Sequence, residues 1–208
     1  ESDARLGLAN RLLMPLAKWV CLAFPIDSYL IVKRYAKKLV HTGIPINEIF
    51  YQADIPNNTG IPFSETKPII LIMGGSQGAR AINQAVKEVL PDWVQSYQVF
   101  HLAGANDFAE LKLWAAAERF RNYYLFESLP NEQIAFLMRK ASVIIARAGA
   151  TTIAEIAASA RPVIVIPLPG SANNHQLINA QYLAAKGAVV LLEQDELNSE
   201  ALQERIFK

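Results

Sequence analysis

Hydrophobic and polar positions fall into two regimes along this chain. From Pro68 onward, short apolar runs at 69–73, 98–103, 123–126, 143–146, 163–167 and 189–192 punctuate longer stretches of mixed character. The short runs are continuous rather than alternating, as in strands covered on both faces. The stretches between them, at 79–90 (closed by Pro91), 108–120, 132–140, 152–159 and 176–186, carry helical texture, and a last helix is predicted after Asn198 as its cap. Strands alternating with helices of this length pair in parallel, and right-handed crossovers put the helices on both faces. The predicted fold class is therefore α/β, with a doubly wound parallel six-stranded sheet. Ligands of such sheets sit beyond the carboxyl ends of the strands, which singles out the loops 74–79, 103–107, 127–131, 147–152 and 168–175.

Residues 1–44 read differently. Leu6, Leu8, Leu12, Leu13, Leu16 and Val20 are predicted to share one helical face, extended by Trp19, Leu22 and Phe24 up to Pro25. Lys33, Arg34, Lys37 and Lys38 then cluster in a second helical segment. Apolar residues beside basic ones suit an anionic membrane surface. The plainer reading, a helix packed on a partner with a solvated basic face, is preferred. The start in mid-pattern suggests a fragment. The segment 41–66 holds Gly43, Pro45, Pro56, Gly60, Pro62 and the turn-prone pair Asn57-Asn58, so it reads as a connector. A boundary near Pro45 divides the chain into a helical remnant with connector, 1–44, and a ligand-binding domain, 45–208.

Composition adds three limits. With 208 residues, 52% apolar and a net charge of +1, the chain suits one or two globular domains, and its charge points to no nucleic-acid partner. Cys21 is the only cysteine, so no intrachain disulfide forms and a reducing compartment is expected. No signal peptide is read at Glu1, and the longest apolar stretch, 12–24, is broken by Pro15 and Lys18 short of the ~18 residues a membrane helix needs.

The candidate chemistry lies in three loops. In Ile69 to Arg80, IILIMGGSQGAR, a strand feeds a glycine turn and then a helix start, with Gly75, Ser76 and Gln77 at the turn. Backbone N–H groups and a helix N-terminus of this kind favour an anion. The turn is neither a Walker A loop nor a G-x-G-x-x-G fingerprint. In the second loop, Arg147 to Thr152, Gly149 and Ala150 repeat the design, and Thr151 or Thr152 is a candidate cap. Glu155 follows one turn into the helix, where it either accepts from a ribose diol or complements the helix dipole; the two readings stand level. In the third, PLPGSANNHQ leads into a helix carrying His175, Gln176 and Asn179, whose polar groups suit sugar hydroxyls; capping by Asn173 or Asn174 is the plainer alternative. Gly74 to Gly78 also matches G-x-S-x-G, which would make Ser76 a nucleophile with His175 and Glu155 or Asp107 behind it. No clear strand precedes Ile69 and no HGGG-type loop is present, so a hydrolase is the remote reading. Trp19, Trp93 and Trp114 are expected to pack, and His101 is expected to be a buried, hydrogen-bonded core histidine.

Taken together, GGSQGARAINQAV, ARAGATTIAEIAA and RPVIVIPLPGSANNHQLINAQYLAAKGAVVLL resemble the C-terminal half of the MurG family, the UDP-N-acetylglucosamine (UDP-GlcNAc) transferases that make lipid II from lipid I in bacterial peptidoglycan synthesis. The opening ESDARLGLANRLL resembles the end of that family's first domain. The resemblance implies a GT-B glycosyltransferase of two Rossmann-like domains with the active site in the cleft between them. It implies that Gly75, Ser76 and Gln77 meet the donor's diphosphate with Gly149, Ala150, Thr151 and Thr152. Glu155 would then bind the ribose, His175, Gln176 and Asn179 the sugar, and the loop after Phe126 the uracil.

It further implies an inverting hexosyltransferase with no obligatory cofactor or metal, an undecaprenyl-diphosphate-linked acceptor, and a peripheral place on the cytoplasmic face of the bacterial plasma membrane. No D-x-D motif is present, in keeping with this. The general base would belong to the first domain, so no catalytic residue is expected in this chain. Asn47 stands where members often carry Arg after Gly-x-Pro. The first domain's acceptor loop and the terminal helices after Lys208 are not in this sequence, so the expectation is a truncated donor half that binds donor and turns over poorly or not at all. Other UDP-sugar transferases, UDP-sugar hydrolases, or a donor-binding subunit with a separate partner are the alternatives within the same chemistry.

Overall fold

The computed structural model describes residues 1–29, 33–55 and 60–206. Its centre is a parallel six-stranded sheet. The strands are β3 (Ile69–Met73), β4 (Gln98–Leu102), β5 (Tyr123–Phe126), β6 (Val143–Ala146), β7 (Val163–Val165) and β8 (Val190–Leu191), in the order β5-β4-β3-β6-β7-β8. All five residues of β3 and of β4 are buried, which explains why these runs are apolar without alternation. Successive side chains feed opposite layers. Leu71, Phe100, Ile144 and Val165 pack under α4 (Asn131–Lys140), α5 (Ala150–Ser159) and α6 (His175–Ala184). Ile70, Ile72, Val99, Ile145 and Ile164 pack under α2 (Arg80–Ser96) and α7 (Ser199–Ile206). Each such side chain contributes roughly 1.5–3 kcal/mol by leaving water.

The chain builds β3, β4 and β5 outward in one direction. Through α4 it then returns to the other side of β3 to build β6, β7 and β8. The order reverses between β3 and β6, and a crevice opens at such a switch point.

Several boundaries differ from expectation. Pro91 does not close α2. The helix runs on to Ser96 because Trp93 and Val94, in its last turn, are buried in the second layer. Their burial, about 1.5–3 kcal/mol each, offsets the ~3 kcal/mol cost of a helical proline. β7 ends at Val165 because the Arg147 guanidinium takes the carbonyls of Ile166 and Pro167, each at 3.1 Å. Asn198 does cap the last helix, its Oδ1 accepting from Ala201 N at 2.8 Å.

The first 44 residues are only partly helical. Among the described residues, the short helix α1 (Leu8–Leu13) and 3-10 turns at Ile26–Ser28 and Lys33–Lys38 accompany two strands, β1 (Val20–Leu22) and β2 (Leu39–His41), which pair in parallel; the turn at Lys33–Lys38 falls within the second helical segment expected from sequence. Leu22, Phe24, Tyr29 and Leu39 gather into a small cluster against Ile178, Tyr182 and Leu183 of α6, and that burial selects strand over helix here. Leu8, Leu12, Leu13 and Leu16 stay exposed, and so does Trp19, which therefore does not pack as expected. Pro56, Asn57-Asn58 and the Lys33 side chain lie outside the described residues. In the connector, Asn47 accepts from Ile49 N at 3.0 Å and caps a short helical turn, Glu48–Tyr51, whose Phe50 is buried against α4 and α5. Among the described residues no helix is long and apolar enough to cross a membrane.

Candidate functional site

The carboxyl ends of the strands lie in one row. Phe126 pairs with Leu102, Leu102 with Met73, Met73 with Ala146, Ala146 with Val165, and Val165 with Leu191. The loops singled out from sequence therefore leave the sheet side by side. Met73 and Ala146 are direct partners across the switch point, about 4.8 Å apart in the hydrogen-bonding direction. The two glycine turns start from these two residues.

Each turn delivers a helix N-terminus without a side-chain cap. α2 starts after Ala79, and α5 starts after Gly149. Thr151 and Thr152 are not caps, contrary to expectation. The helix begins at Ala150, so both lie inside its first turn. First-turn N–H groups have no intrahelical partner, and each helix end carries roughly +0.5 charge. Two such ends from neighbouring strands form a positively polarised pair.

The first turn is fixed by backbone contact. Gly78 N donates to Gly75 O at 3.0 Å, and Ser76 O accepts from Ala105 N at 3.2 Å. Gly78 and Gly104 approach so closely that a Cβ on Gly78 would lie 2.4 Å from Ala103 O, and one on Gly104 would lie 2.1 Å from Gly78 N. Both have positive φ, 86° and 78°. Only glycine satisfies both conditions. Gly75, Ser76 and Gln77 are exposed at the tip of this turn.

On the second turn's helix, Glu155 is half-buried, and burial pushes its carboxyl above the ordinary value. A carboxylate held partly out of water gains when a ligand hydroxyl donates to it. In the third loop, Gln176 accepts from Leu168 N with its Oε1 at 2.9 Å, which orients the amide and leaves Nε2 as its donor. His175 Nδ1 bonds Ala172 O at 2.7 Å. Asn173 and Asn174 take left-handed conformations and neither side chain caps α6. Ser171 Oγ accepts from Gln176 N instead, at 3.3 Å.

Asn179 stands apart from the other candidates. It is fully buried: its Oδ1 accepts from Ala4 N at 2.8 Å, and its Nδ2 donates to Asp3 Oδ1 at 2.9 Å and Ala148 O at 3.3 Å. It ties the first residues of the chain to the turn before α5. Arg147, which opens the second loop, carries no role expected from sequence. Besides Ile166 and Pro167 it donates to Gln194 Oε1 at 2.7 Å, and burial lowers its pKa to about 10. It joins the exits of β6, β7 and β8. Only its place one residue past a strand could have flagged it.

The geometry gives the nucleophile reading no support. All three histidines are engaged elsewhere: His41 Nε2 on Ala23 O, His101 on Asn83 and Tyr123, and His175 Nδ1 on Ala172 O. None hydrogen-bonds Ser76, and Asp107 is buried against Asn83. Trp93 is buried and Trp114 is packed on Phe120 and Tyr123, as expected.

The family model described as the glycosyltransferase family 28 C-terminal domain matches residues 69–208, the whole sheet with its helices. The chain belongs to this family. A curated relative from Synechococcus elongatus is 36% identical over 209 residues, covering 100% of this chain and 55% of the relative. One from Clostridium perfringens is 36% identical over 210 residues, covering 99% and 56%. Both are named UDP-N-acetylglucosamine–N-acetylmuramyl-(pentapeptide) pyrophosphoryl-undecaprenol N-acetylglucosamine transferase. The crystal structure of Acinetobacter baumannii MurG is 29% identical, with a TM-score of 0.72 over 98% of this chain and 55% of that one. The resemblance to the C-terminal half of MurG is thereby borne out, and the chain spans about half the length of the curated relatives it matches. The fold is that of the C-terminal domain of a GT-B glycosyltransferase.

Proposed function

We propose that this chain supplies the donor half of a UDP-GlcNAc-dependent hexosyltransferase that glycosylates a lipid-linked N-acetylmuramoyl-pentapeptide in peptidoglycan synthesis. The observation that carries the reading is the pair of uncapped helix N-termini leaving directly partnered strands at the switch point. In the reaction, the acceptor's C4 hydroxyl attacks the anomeric carbon, the bond to the diphosphate breaks with inversion, and negative charge grows on the departing UDP. Aimed N–H groups of 80–82 and 150–152 stabilise that charge without reorganising. The Ser76, Thr151 and Thr152 hydroxyls add donors, with Gly75, Gln77, Gly149 and Ala150 lining the approach. Glu155 accepts from the ribose diol, and Gln176 Nε2 donates to a sugar hydroxyl with His175 beside it. Asn179 acts behind the site, holding the turn before α5 in place. The uracil would lie against the loop 127–131. The base that takes the acceptor's proton would come from outside residues 1–208.

The acceptor's undecaprenyl diphosphate and a peripheral seat on the cytoplasmic face of the plasma membrane belong to the same proposal. The relatives' names support the first, and the exposed Leu8, Leu12, Leu13 and Leu16 near Arg11 and Lys18 support the second. Thermal denaturation with added nucleotide tests the donor reading. UDP at a hundredfold excess over its Kd contributes about 2.7 kcal/mol, a rise of roughly 5–11 °C at about 2–4 °C per kcal/mol. ADP at the same concentration should give a clearly smaller rise, and equal rises would remove the uridine assignment.

A further inference from the structure

Behind the first glycine turn lies a chain of buried polar groups that the donor contacts do not use. Asn83, His101 and Asp107 are at most 7% exposed, and Tyr123 continues the chain at its far end. Asn83 sits on the first turn of α2, its N–H bonded to Ala79 O. Its Nδ2 donates to Ala103 O at 3.1 Å and to Asp107 Oδ2 at 2.8 Å. Both amide hydrogens are thus spent, and Oδ1 can only accept. His101 Nε2, 2.9 Å away, must therefore carry the proton. The remaining ring nitrogen, Nδ1, then accepts from Tyr123 OH at 2.9 Å. Burial keeps the imidazole neutral, with its pKa lowered to about 3. Every donor and acceptor in this chain of bonds has one assignment.

Such a network is a costly way to fill a core. An apolar set at the same positions would avoid the desolvation of a carboxylate, an amide and an imidazole. What the network does instead is join three elements at the mouth of the sheet. Asn83 is fixed to α2, Ala103 leads into Gly104, and Asp107 precedes α3 (Phe108–Glu118). Gly104 is the residue against which Gly78 packs, and Ala105 N holds Ser76 O.

We propose that Asn83, His101 and Asp107 are positioning residues for the donor's diphosphate: they hold the 103–107 loop against the Gly75–Gly78 turn and thereby aim the N–H groups of that turn and of α2. The inference rests on the donor reading. It adds that diphosphate recognition is set by a network that touches no ligand and that runs through the opposite side of the sheet from Glu155. Because it acts on one turn only, it governs the phosphate part of the affinity and leaves the uridine part alone.

The test is a split between two ligands, backed by a ligand-free readout. UDP and uridine are titrated into the wild-type chain, Asn83→Ala, Asp107→Ala and Asp107→Asn. Amide hydrogen exchange is followed over 74–82, 103–107 and 147–152. Asn83→Ala and Asp107→Ala should weaken UDP about fivefold or more, change uridine less than twofold, and speed exchange in 74–82 and 103–107 but not in 147–152. Asp107→Asn keeps an acceptor for Asn83 Nδ2 and should bind UDP at or above wild-type affinity. Asp107 lies at the loop's end, so its pair of variants decides the matter should Asn83→Ala not fold. Equal loss of UDP and uridine, or unchanged exchange in 74–82, overturns the inference. A wild-type chain that binds no UDP refutes the donor reading, and with it the phosphate role. Faster exchange in the variants would still show the network's hold on the turn.

Discussion

Gly75 and Gly104 share a positive φ, 84° and 78°, yet an alanine at each should behave very differently. At Gly75 nothing lies within 4 Å of an added Cβ. Gly75→Ala therefore meets only the left-handed strain of an L-residue, about 1–2 kcal/mol. At Gly104 the same strain applies, but the Cβ would also lie 2.1 Å from Gly78 N and 2.3 Å from Gly78 Cα. Ordinary contact begins at 3.4 Å, so the two turns must part by more than an ångström. That separation strains the packing by about 1–3 kcal/mol. It also breaks Ala105 N to Ser76 O and Gly104 N to Glu127 O, each worth about 0.5–1.5 kcal/mol. The total is about 3–8 kcal/mol. For a chain of this length a kcal/mol moves Tm by roughly 2–4 °C, so Gly75→Ala should lower Tm by about 2–8 °C and Gly104→Ala by several times as much, about 6–32 °C. Calorimetric melting of the two variants beside the parent measures the difference. If both alanines lower Tm equally, the two turns are not in contact, and the geometry of the Gly75–Gly78 turn described above is wrong.

Other substitutions probe the remaining parts of the site. Burial raises the Glu155 pKa, so ionising it costs the folded state stability that is lost as pH rises through the raised value and stays lost above it. Glu155→Gln should therefore melt no lower than wild type at pH 7–8 while binding UDP about tenfold more weakly; undiminished UDP affinity would take the ribose role from Glu155. His101 presents the opposite linkage. Its folded pKa, about 3, lies below the unfolded 6.5, so its contribution is complete above pH 6.5 and declines as pH falls through that window, by ~1.4 kcal/mol per unit. Melting His101→Gln and wild type between pH 7 and 4 should show the shallower dependence in the variant, and parallel curves would mean that the histidine is not held neutral. Arg147→Met strands the carbonyls of Ile166 and Pro167 and the Gln194 amide oxygen; a loss of ~2–4 kcal/mol in urea unfolding is expected, against less than ~0.5 kcal/mol if the guanidinium merely rests there.

The sheet was legible because strands buried on both faces leave uninterrupted apolar runs, and Ile69–Met73 and Val143–Ala146 have the predicted bounds. The two glycine turns were legible for a related reason: glycine within a few residues of such a run marks a backbone that must come close to something. What escaped the sequence were properties that depend on tertiary neighbours. Pro91 reads as a stop in sequence because the burial of Trp93 beyond it is a fact of packing, not of local propensity. Val20–Leu22 looked helical because three residues are too few to show a period, and their partner strand lies 17 residues further on, at Leu39. Asn179 matched the pattern of a sugar reader, but the Ala4 and Asp3 groups that occupy it come from the other end of the chain. Arg147 gave no signal, since an arginine after a strand is usually solvated.

On the donor reading, this chain by itself holds a UDP-GlcNAc site at the β3–β6 switch point. Isothermal titration calorimetry with UDP-GlcNAc, UDP-GalNAc and UDP, on the wild-type chain and on Glu155→Ala, is the decisive experiment. Saturable binding of UDP-GlcNAc is expected, with weaker binding of UDP-GalNAc through the Gln176 loop, and loss of affinity for both sugars and for UDP in the variant. Absence of heat with every ligand, or UDP binding that Glu155→Ala leaves unchanged, would contradict that reading.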